Sequence, residues 1–196
     1  MSNLSDRKKK ERRVRQALIL KGALDVFKEK GIDGSTMDEI AVKSGFGKAT
    51  LYYYFKSKEE VFSAILTNGW SKIWYDLEPV IADQNKSPRE TFINILLKIA
   101  DNVKSRPGLY EFLFNVPKQI TFETMEWKKY QERIYSVIKT LIEESINKGE
   151  FPDTKPDVLF KALGGLFMGL VLMGNDKKVS KKDVEKMLNE LIPKKN

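Results

Sequence analysis

The chain has 196 residues and a net charge of +8, with 35 Lys or Arg against 27 Asp or Glu and neither cysteine nor histidine. The absence of cysteine excludes disulfides, zinc–cysteine sites and thiol catalysis, and the absence of histidine removes the commonest metal ligand and general base, so we expect no metal and no cofactor. Residues 1–15 are charged and no apolar stretch follows them, and residues 162–175 are too few to span a bilayer, so we expect a soluble, cytoplasmic protein that does not enter a membrane.

The first segment of the chain is strongly basic. Residues 1–15 contain seven Lys or Arg and two acids, whereas residues 1–60 contain 14 and nine, so residues 16–60 are neutral (seven against seven). We predict a basic, flexible arm over residues 1–14. Such a segment is either a solvated tail or an arm that orders along nucleic-acid phosphates or in a minor groove.

Residues 15–60 predict three helices. An amphipathic helix over residues 15–30 ends at Gly31, and Thr36 with Glu39 has the capping-box pattern at the start of the next helix. Gly45 permits the positive-φ turn that ends this second helix, and residues 47–55 form the third. Two helices joined by a glycine turn are typical of the helix-turn-helix, although the spacing also fits a hairpin that only packs a core.

The side chains of the third helix favour contact with DNA. Lys48 and Thr50 lie near its start, and Tyr52 and Tyr54 lie between Lys48 and a second cation at position 58. Ammonium and phenol groups are common donors to phosphate, and three consecutive tyrosines do not suit a core because buried hydroxyls need partners. Leu51 and Phe55 fit the inward face, which Tyr53 can share.

Residues 17–62 resemble the DNA-binding domain of the TetR/AcrR family of transcriptional regulators. The resemblance is carried by a first helix ending in VFKEKG, by the Thr at the start of the second helix and by the run TLYYYFKSKEE. It implies that Thr36, Tyr54 and Lys58 bind phosphates and that Lys48 reads base edges, with Thr50 and Tyr52 contacting backbone or bases. Tyr54 stands where many members have His. The full set of candidate DNA-contacting residues is Thr36, Lys48, Ala49, Thr50, Tyr52, Tyr53, Tyr54 and Lys58.

The rest of the chain also predicts helices, over residues 57–78, 87–106, 109–115, 122–148, 157–174 and 181–191. No alternating strand pattern occurs, so the predicted class is all-α. We predict an N-terminal three-helix helix-turn-helix domain over residues 15–60, joined to a larger C-terminal helical domain over residues 61–196. The resemblance implies that this larger domain binds an effector and dimerises.

The helix around residues 159–173 contains three glycines. Each glycine costs a helix about 1 kcal/mol relative to alanine, so we expect another helix backbone to approach closely here. That helix belongs either to the same chain or to a second copy, and the resemblance favours a homodimer. The candidate interface residues are Gly164, Gly165, Met168, Gly169 and Leu172. A two-fold dimer can read a near-palindromic double-stranded operator, because its recognition helices reach successive major grooves.

Aromatic residues are abundant in the predicted larger domain. They either fill a core or line a cavity for a small apolar or amphipathic effector, with the segment between Pro107 and Pro117 as a gate. The candidate effector-binding residues are Trp70, Trp74, Tyr110, Phe114, Trp127, Tyr130 and Phe167. Nearby cations favour a partly anionic effector such as an acyl thioester; they are Lys118, Lys128, Lys129 and Arg133.

No catalytic constellation or phosphate-binding loop occurs in the sequence, so we do not expect an enzyme. The interpretation that fits best is a homodimeric, sequence-specific repressor that leaves its palindromic operator when a small, largely apolar effector binds. The alternative is a DNA-binding regulator with no small-molecule ligand, controlled by a protein partner.

Overall fold

The protein is described by a computed structural model that covers residues 2–116, 125–172 and 180–191. All regular secondary structure in these ranges is helical, which confirms the all-α class. The helices are α1 (Ser2–Lys30), α2 (Met37–Ser44), α3 (Lys48–Tyr54), α4 (Lys58–Ile81), α5 (Pro88–Ser105), α6 (Pro107–Phe114), α7 (Glu126–Asn147), α8 (Pro156–Leu172) and α9 (Lys181–Leu191). Pro117 and Lys118, which figure in the predicted gate and cationic cluster, lie outside the described residues.

The chain divides into two compact units. The first comprises residues 1–68 with 116–127, and the second comprises residues 69–115 with 128–196. Helix α4 contributes residues to both units. The domain limits predicted from the sequence, at residues 14, 60 and 61, stay predictions.

Helix α1 is longer than the sequence pattern indicated. It runs from Ser2 to Lys30, so the segment predicted as a flexible arm over residues 1–14 is helical from its second residue. Lys, Arg and Glu are good helix formers, and Arg15 pairs with Glu11 one turn earlier at 2.6 Å. The arm therefore has helical structure that its charge pattern did not indicate, and its flexibility stays a prediction.

Helix α2 is fixed at both ends by local signals. The Glu39 N–H donates to Thr36 Oγ1 at 3.3 Å, and the Thr36 N–H donates to Glu39 Oε2 at 2.9 Å, so the predicted capping box is formed. Gly45 ends the helix at a φ of 75°, as predicted. The core of the first unit lies between α1, α2, α3 and the start of α4; it contains Ile19, Ala23, Val26, Phe27, Ile40, Ala41, Leu51, Phe55, Val61, Phe62, Ile65 and Leu66.

Helix α4 continues to Ile81, past the predicted end at Pro79. Proline disfavours the helix interior because it lacks an N–H and its ring crowds the preceding turn, but the helical hydrogen bonds resume after it, and the Ala82 N–H donates to the Glu78 carbonyl at 3.0 Å. In the second unit, Leu113 of α6 lies so close to Gly69 of α4 that a methyl group there would overlap it. Helix α5 begins with a capping box formed by Ser87 and Glu90, with Pro88 in its first turn.

A buried arginine connects three parts of the second unit. Arg89, at the start of α5, donates to the Glu150 carbonyl at 2.6 Å and to Asn189 Oδ1 of α9 at 2.9 Å. Its guanidinium carbon lies 4.9 Å from the centre of the Phe151 ring. Burial lowers the pKa of Arg89, and the nearby Glu150 acts in the opposite direction. These bonds hold the loop after α7 and the last helix against α5.

Candidate functional site

Helix α3 has one buried and one exposed face. Leu51 is fully buried and Phe55 closes the same side, whereas Tyr52 and Tyr53 are 45% and 72% exposed. The structure therefore places Tyr53 outside the core, on the face that carries the predicted DNA contacts. Ala49 is exposed and Thr50 half-buried in the first turn. Hydroxyl and methyl groups are thus presented together on one short helix.

Lys48 is held by a residue that the sequence analysis did not single out. Its Nζ lies 2.8 Å from Oδ1 of Asp38 on α2, and both side chains are largely exposed. The hydrogen bond from Lys48 to Asp38 raises the pKa of Lys48, which keeps the ammonium group charged. To bind DNA, Lys48 would exchange Asp38 for a base edge or a phosphate.

Two predicted phosphate donors meet at the start of α2. Lys58 Nζ donates to the backbone carbonyls of Asp33 and Ser35, at 3.2 and 3.0 Å. The second carbonyl directly precedes Thr36, whose hydroxyl donates to Glu39 Oε2 at 3.0 Å. An ammonium group beside a helix N-terminus suits an incoming anion. All eight predicted DNA-contacting residues lie in the first unit, and their contact with DNA stays a prediction.

The second unit contains an apolar cavity of about 340 Å³, formed by residues of α4, α5, α6, α7 and α8. Its wall includes two edge-to-face contacts of Trp70, with Phe114 at a ring distance of 5.5 Å and with Tyr135 at 6.0 Å. The lining residues are Trp70, Ile73, Phe92, Leu96, Ile99, Phe114, Ile134, Tyr135, Ile138, Phe160, Lys161, Leu163, Gly164, Gly165, Phe167 and Met168. A cavity of this size and character can hold a small organic molecule.

Few polar groups reach this cavity. Trp70 is 1% exposed, and no acceptor among the described residues lies within hydrogen-bonding distance of its Nε1. Of the described lining residues, Lys161 alone carries a charge. Burial raises the pKa of Tyr135, so its hydroxyl stays protonated. The lining is therefore apolar, with one cationic residue and two residues, Trp70 and Tyr135, whose side chains carry hydrogen-bond donors.

Only some of the predicted effector-binding residues line the cavity. Trp70, Phe114 and Phe167 line it, together with aliphatic residues that the aromatic pattern could not indicate. Trp74 instead donates to Glu78 at 2.7 Å, and Tyr110 donates to Asn102 at 3.1 Å. Tyr130 lies against Tyr75, and Trp127 belongs to the first unit. Neither these residues nor the predicted cations at positions 128, 129 and 133 are among those that line the cavity.

The glycines of α8 have open space around them. A methyl group added at Gly164, Gly165 or Gly169 would meet no described atom within 4 Å apart from the backbone of its own helix. Close packing against the described residues of the same chain therefore does not explain them. Gly164, Gly165 and Met168 line the cavity, and the exposed Leu166 and Leu170 lie on the same helix. Leu172 is the last residue of α8, and its side chain is outside the described residues. The interface assignment stays a prediction.

None of the helices formed by the described residues is long and apolar enough to cross a membrane. No group of three or more acidic side chains among these residues comes together in a way that could hold a metal ion.

Comparisons with known proteins agree with this architecture. The family model for bacterial regulatory proteins of the tetR family matches residues 19–65. The uncharacterized HTH-type transcriptional regulator YfiR of Bacillus subtilis is 29% identical over 151 residues, covering 72% of this chain and 70% of YfiR. IcaR of Staphylococcus epidermidis, a negative transcriptional regulator of the biofilm operon icaADBC, is 33% identical over 96 residues, covering 49% of this chain and 42% of IcaR.

Solved structures show the same fold over nearly the whole chain. The crystal structure of AibR in complex with isovaleryl coenzyme A and operator DNA matches with a TM-score of 0.75. The match covers 92% of this chain and 99% of AibR, at 18% sequence identity. At this identity the likeness establishes the common fold.

Proposed function

We propose that this chain, which belongs to the TetR family of transcriptional regulators, acts as a homodimeric repressor of a near-palindromic operator. A small, largely apolar effector bound in the cavity of the second unit releases it from DNA. The observation that carries the proposal is the exposed face of α3. It presents Lys48, Tyr52 and Tyr53 on the second helix of a helix-turn-helix whose other face is buried.

Repression is supported by a relative. IcaR, which is 33% identical over 96 residues, is by its name a negative regulator of an operon. A protein that occupies operator DNA can repress without contacting any other kind of protein. Two copies with recognition helices about 34–36 Å apart would read two half-sites in successive major grooves.

The cavity suggests the chemistry of the effector. Its wall is made of aromatic and aliphatic side chains, so the ligand body is apolar and buries surface at about 25 cal/mol per Å². An acceptor or carboxylate on the ligand would satisfy Trp70 Nε1 or pair with Lys161. Acyl groups with an anionic or thioester end have this character, and AibR was crystallised with such a molecule.

Release follows from coupling between the ligand and the dimer geometry. An effector that binds one geometry more tightly shifts the population towards it, and typical coupling free energies are about 1–3 kcal/mol. If the favoured geometry separates the recognition helices by more or less than one turn of DNA, the operator affinity falls about 5- to 150-fold.

The test is fluorescence anisotropy with DNA from directly upstream of the protein's own gene and random DNA as competitor. We expect tight binding to the upstream DNA, and loss of it in the double variant Lys48→Ala/Tyr52→Ala, because both side chains lie on the exposed face. The matched control, Lys72→Ala/Tyr75→Ala on α4, removes the same two residue types outside the helix-turn-helix and should bind normally. Equal binding by the two double variants would contradict the proposal.

A further inference from the structure

The net positive charge of the first 60 residues resides in the N-terminal part of α1. Residues 1–15 carry a net charge of +5, and residues 16–60, which include the whole helix-turn-helix, carry none (seven cations against seven acids). Affinity for the DNA backbone depends on cations that neutralise phosphates. The helix-turn-helix therefore brings no net positive charge to DNA. The net charge that attracts phosphates comes from the extension of α1.

The structure brings this extension beside the recognition helix. A cleft of about 670 Å³ is lined by α1 on one side and by the last turn of α3 on the other. Its lining residues are Lys8, Lys9, Glu11, Arg12, Arg15, Tyr53 and Tyr54. The Arg12 guanidinium carbon lies 6.0 Å from the centre of the Tyr54 ring, and this ring meets that of Tyr53 edge-on at 5.2 Å. The first of these contacts places the extension beside α3.

The cations of the cleft are largely free to take an anion. Glu11 is the one acid in the lining, and it pairs with Arg15. In the described part of the chain, no acidic side chain lies within ion-pairing distance of Lys8, Lys9 or Arg12. The tyrosine hydroxyls add neutral donors beside these charges. Ammonium, guanidinium and phenol groups in one cleft are the donor set that binds phosphate.

We propose that the cleft between the N-terminal extension of α1 and the tyrosines of α3 binds backbone phosphates of the DNA that flanks the bases read by α3. The inference rests on the proposed DNA-binding function and adds a contact outside the helix-turn-helix. It assigns Lys8 and Arg12 to phosphates, because they lie one turn apart on the side of α1 that lines the cleft.

The helical form of the extension decides how it meets DNA. A helix with its side chains is about 10–12 Å across, whereas the minor groove of B-DNA is about 6 Å wide. The extension therefore cannot thread the minor groove as an unfolded arm does. Its cations reach the phosphates from outside the groove, so the contact strengthens binding to every sequence equally.

Two double variants with the same loss of charge test the proposal. Lys8→Gln/Arg12→Gln removes cations that line the cleft, and the control Arg7→Gln/Lys10→Gln removes one Lys and one Arg that do not. Glutamine preserves helix propensity, which far-UV circular dichroism can verify. Binding of the full-length proteins to a random 30-base-pair duplex is measured between 50 and 200 mM salt.

The slope of log affinity against log salt should become shallower by about 2 per bound protomer in Lys8→Gln/Arg12→Gln. The ratio of the wild-type affinity to the affinity of this variant should then fall about tenfold between 50 and 200 mM salt. In the control variant, the change in slope should be less than half as large. Equal slopes in the two variants would mean a diffuse charge effect and overturn the proposal, as would an unchanged slope in both.

This titration and the anisotropy test with upstream DNA together separate the inference from the function on which it rests. Phosphate contacts are independent of sequence, so random DNA suffices to compare the variants. A wild type that does not prefer upstream DNA to random DNA overturns specific repression but leaves the comparison of slopes valid. A wild type that binds neither DNA overturns both.

Discussion

Glu39 makes three interactions at the start of α2. Its carboxylate accepts hydrogen bonds from Lys30 Nζ, the Thr36 N–H and the Thr36 hydroxyl. These hydrogen bonds lower the pKa of Glu39 below its ordinary value of 4.5. The bond from Lys30 has the largest effect, and the bonds from Thr36 come next. A depressed pKa stabilises the folded state above the unfolded pKa, and this contribution is lost as the pH falls through the folded pKa.

We therefore expect the wild type to be more stable than Glu39→Gln at neutral pH, and the difference to shrink as the pH falls below about 4.5. Glutamine keeps a side chain that can cap the helix but does not titrate. Urea unfolding at pH 6.5 and pH 3.5 measures the difference. A difference that is constant with pH would show that the carboxylate charge contributes nothing.

Trp70 provides a residue-scale test of the cavity. Its indole N–H is buried without a partner among the described residues, and an acceptor on a ligand would satisfy it. We expect Trp70→Phe to raise the Kd for decanoate about tenfold, corresponding to about 1.4 kcal/mol for one hydrogen bond to a charged group. Trp74→Phe is the control, since that indole already donates to Glu78. Isothermal titration calorimetry that gives equal Kd values for both variants would place the ligand elsewhere.

Close contacts between helices set the geometry of the helix-turn-helix. A methyl group at Gly22 of α1 would lie 2.7 Å from the Ser44 nitrogen and 2.8 Å from its Cα. These are backbone atoms at the end of α2, so they cannot move aside as a flexible side chain would. Glycine at position 22 therefore determines how closely α2, and with it the turn to α3, approaches α1.

Gly22→Ala should destabilise the protein by about 1–2 kcal/mol, since overpacking costs about 1–3 kcal/mol and the gain in helix propensity offsets part of this. Displacement of α2 should also weaken DNA binding. The exposed neighbour Lys21→Ala is the control and should change stability by less than about 0.5 kcal/mol. Unfolding in urea measures both variants, and a stabilised Gly22→Ala would disprove the close contact.

At the scale of the whole molecule, we expect dimerisation to depend on α8. Gly169 has open space around it among the described residues and does not line the cavity, so a larger side chain is compatible with the packing of those residues. In the proposed homodimer the same side chain would hold two copies of α8 apart. A substitution at Gly169 therefore tests dimerisation without altering the cavity, whereas Gly165 lines the cavity.

We expect Gly169→Leu to yield monomers or aggregates in sedimentation velocity and to lose operator binding, because one recognition helix reads only half a site. Asn147→Leu, which adds the same side chain at the exposed end of α7, should behave as the wild type does. A Gly169→Leu dimer with an unchanged melting temperature would place the interface on another surface.

The sequence by itself determined the features whose partners are near in the chain. The capping boxes at Thr36 and Ser87 and the turn at Gly45 were predictable because each depends on groups within a few residues. The run of residue types on α3, read together with its family resemblance, was enough to predict the recognition helix. Helical periodicity likewise gave the all-α class.

The tertiary structure decided the contacts that join distant parts of the chain. It paired Lys48 with Asp38, placed Ser44 against Gly22, and set Arg12 beside Tyr54. It also selected three of the seven predicted effector residues to line the cavity and added aliphatic residues to them. Periodicity shows that a side chain faces inward but not which helix it meets, since crossing angles and close approaches depend on the packing of all helices together.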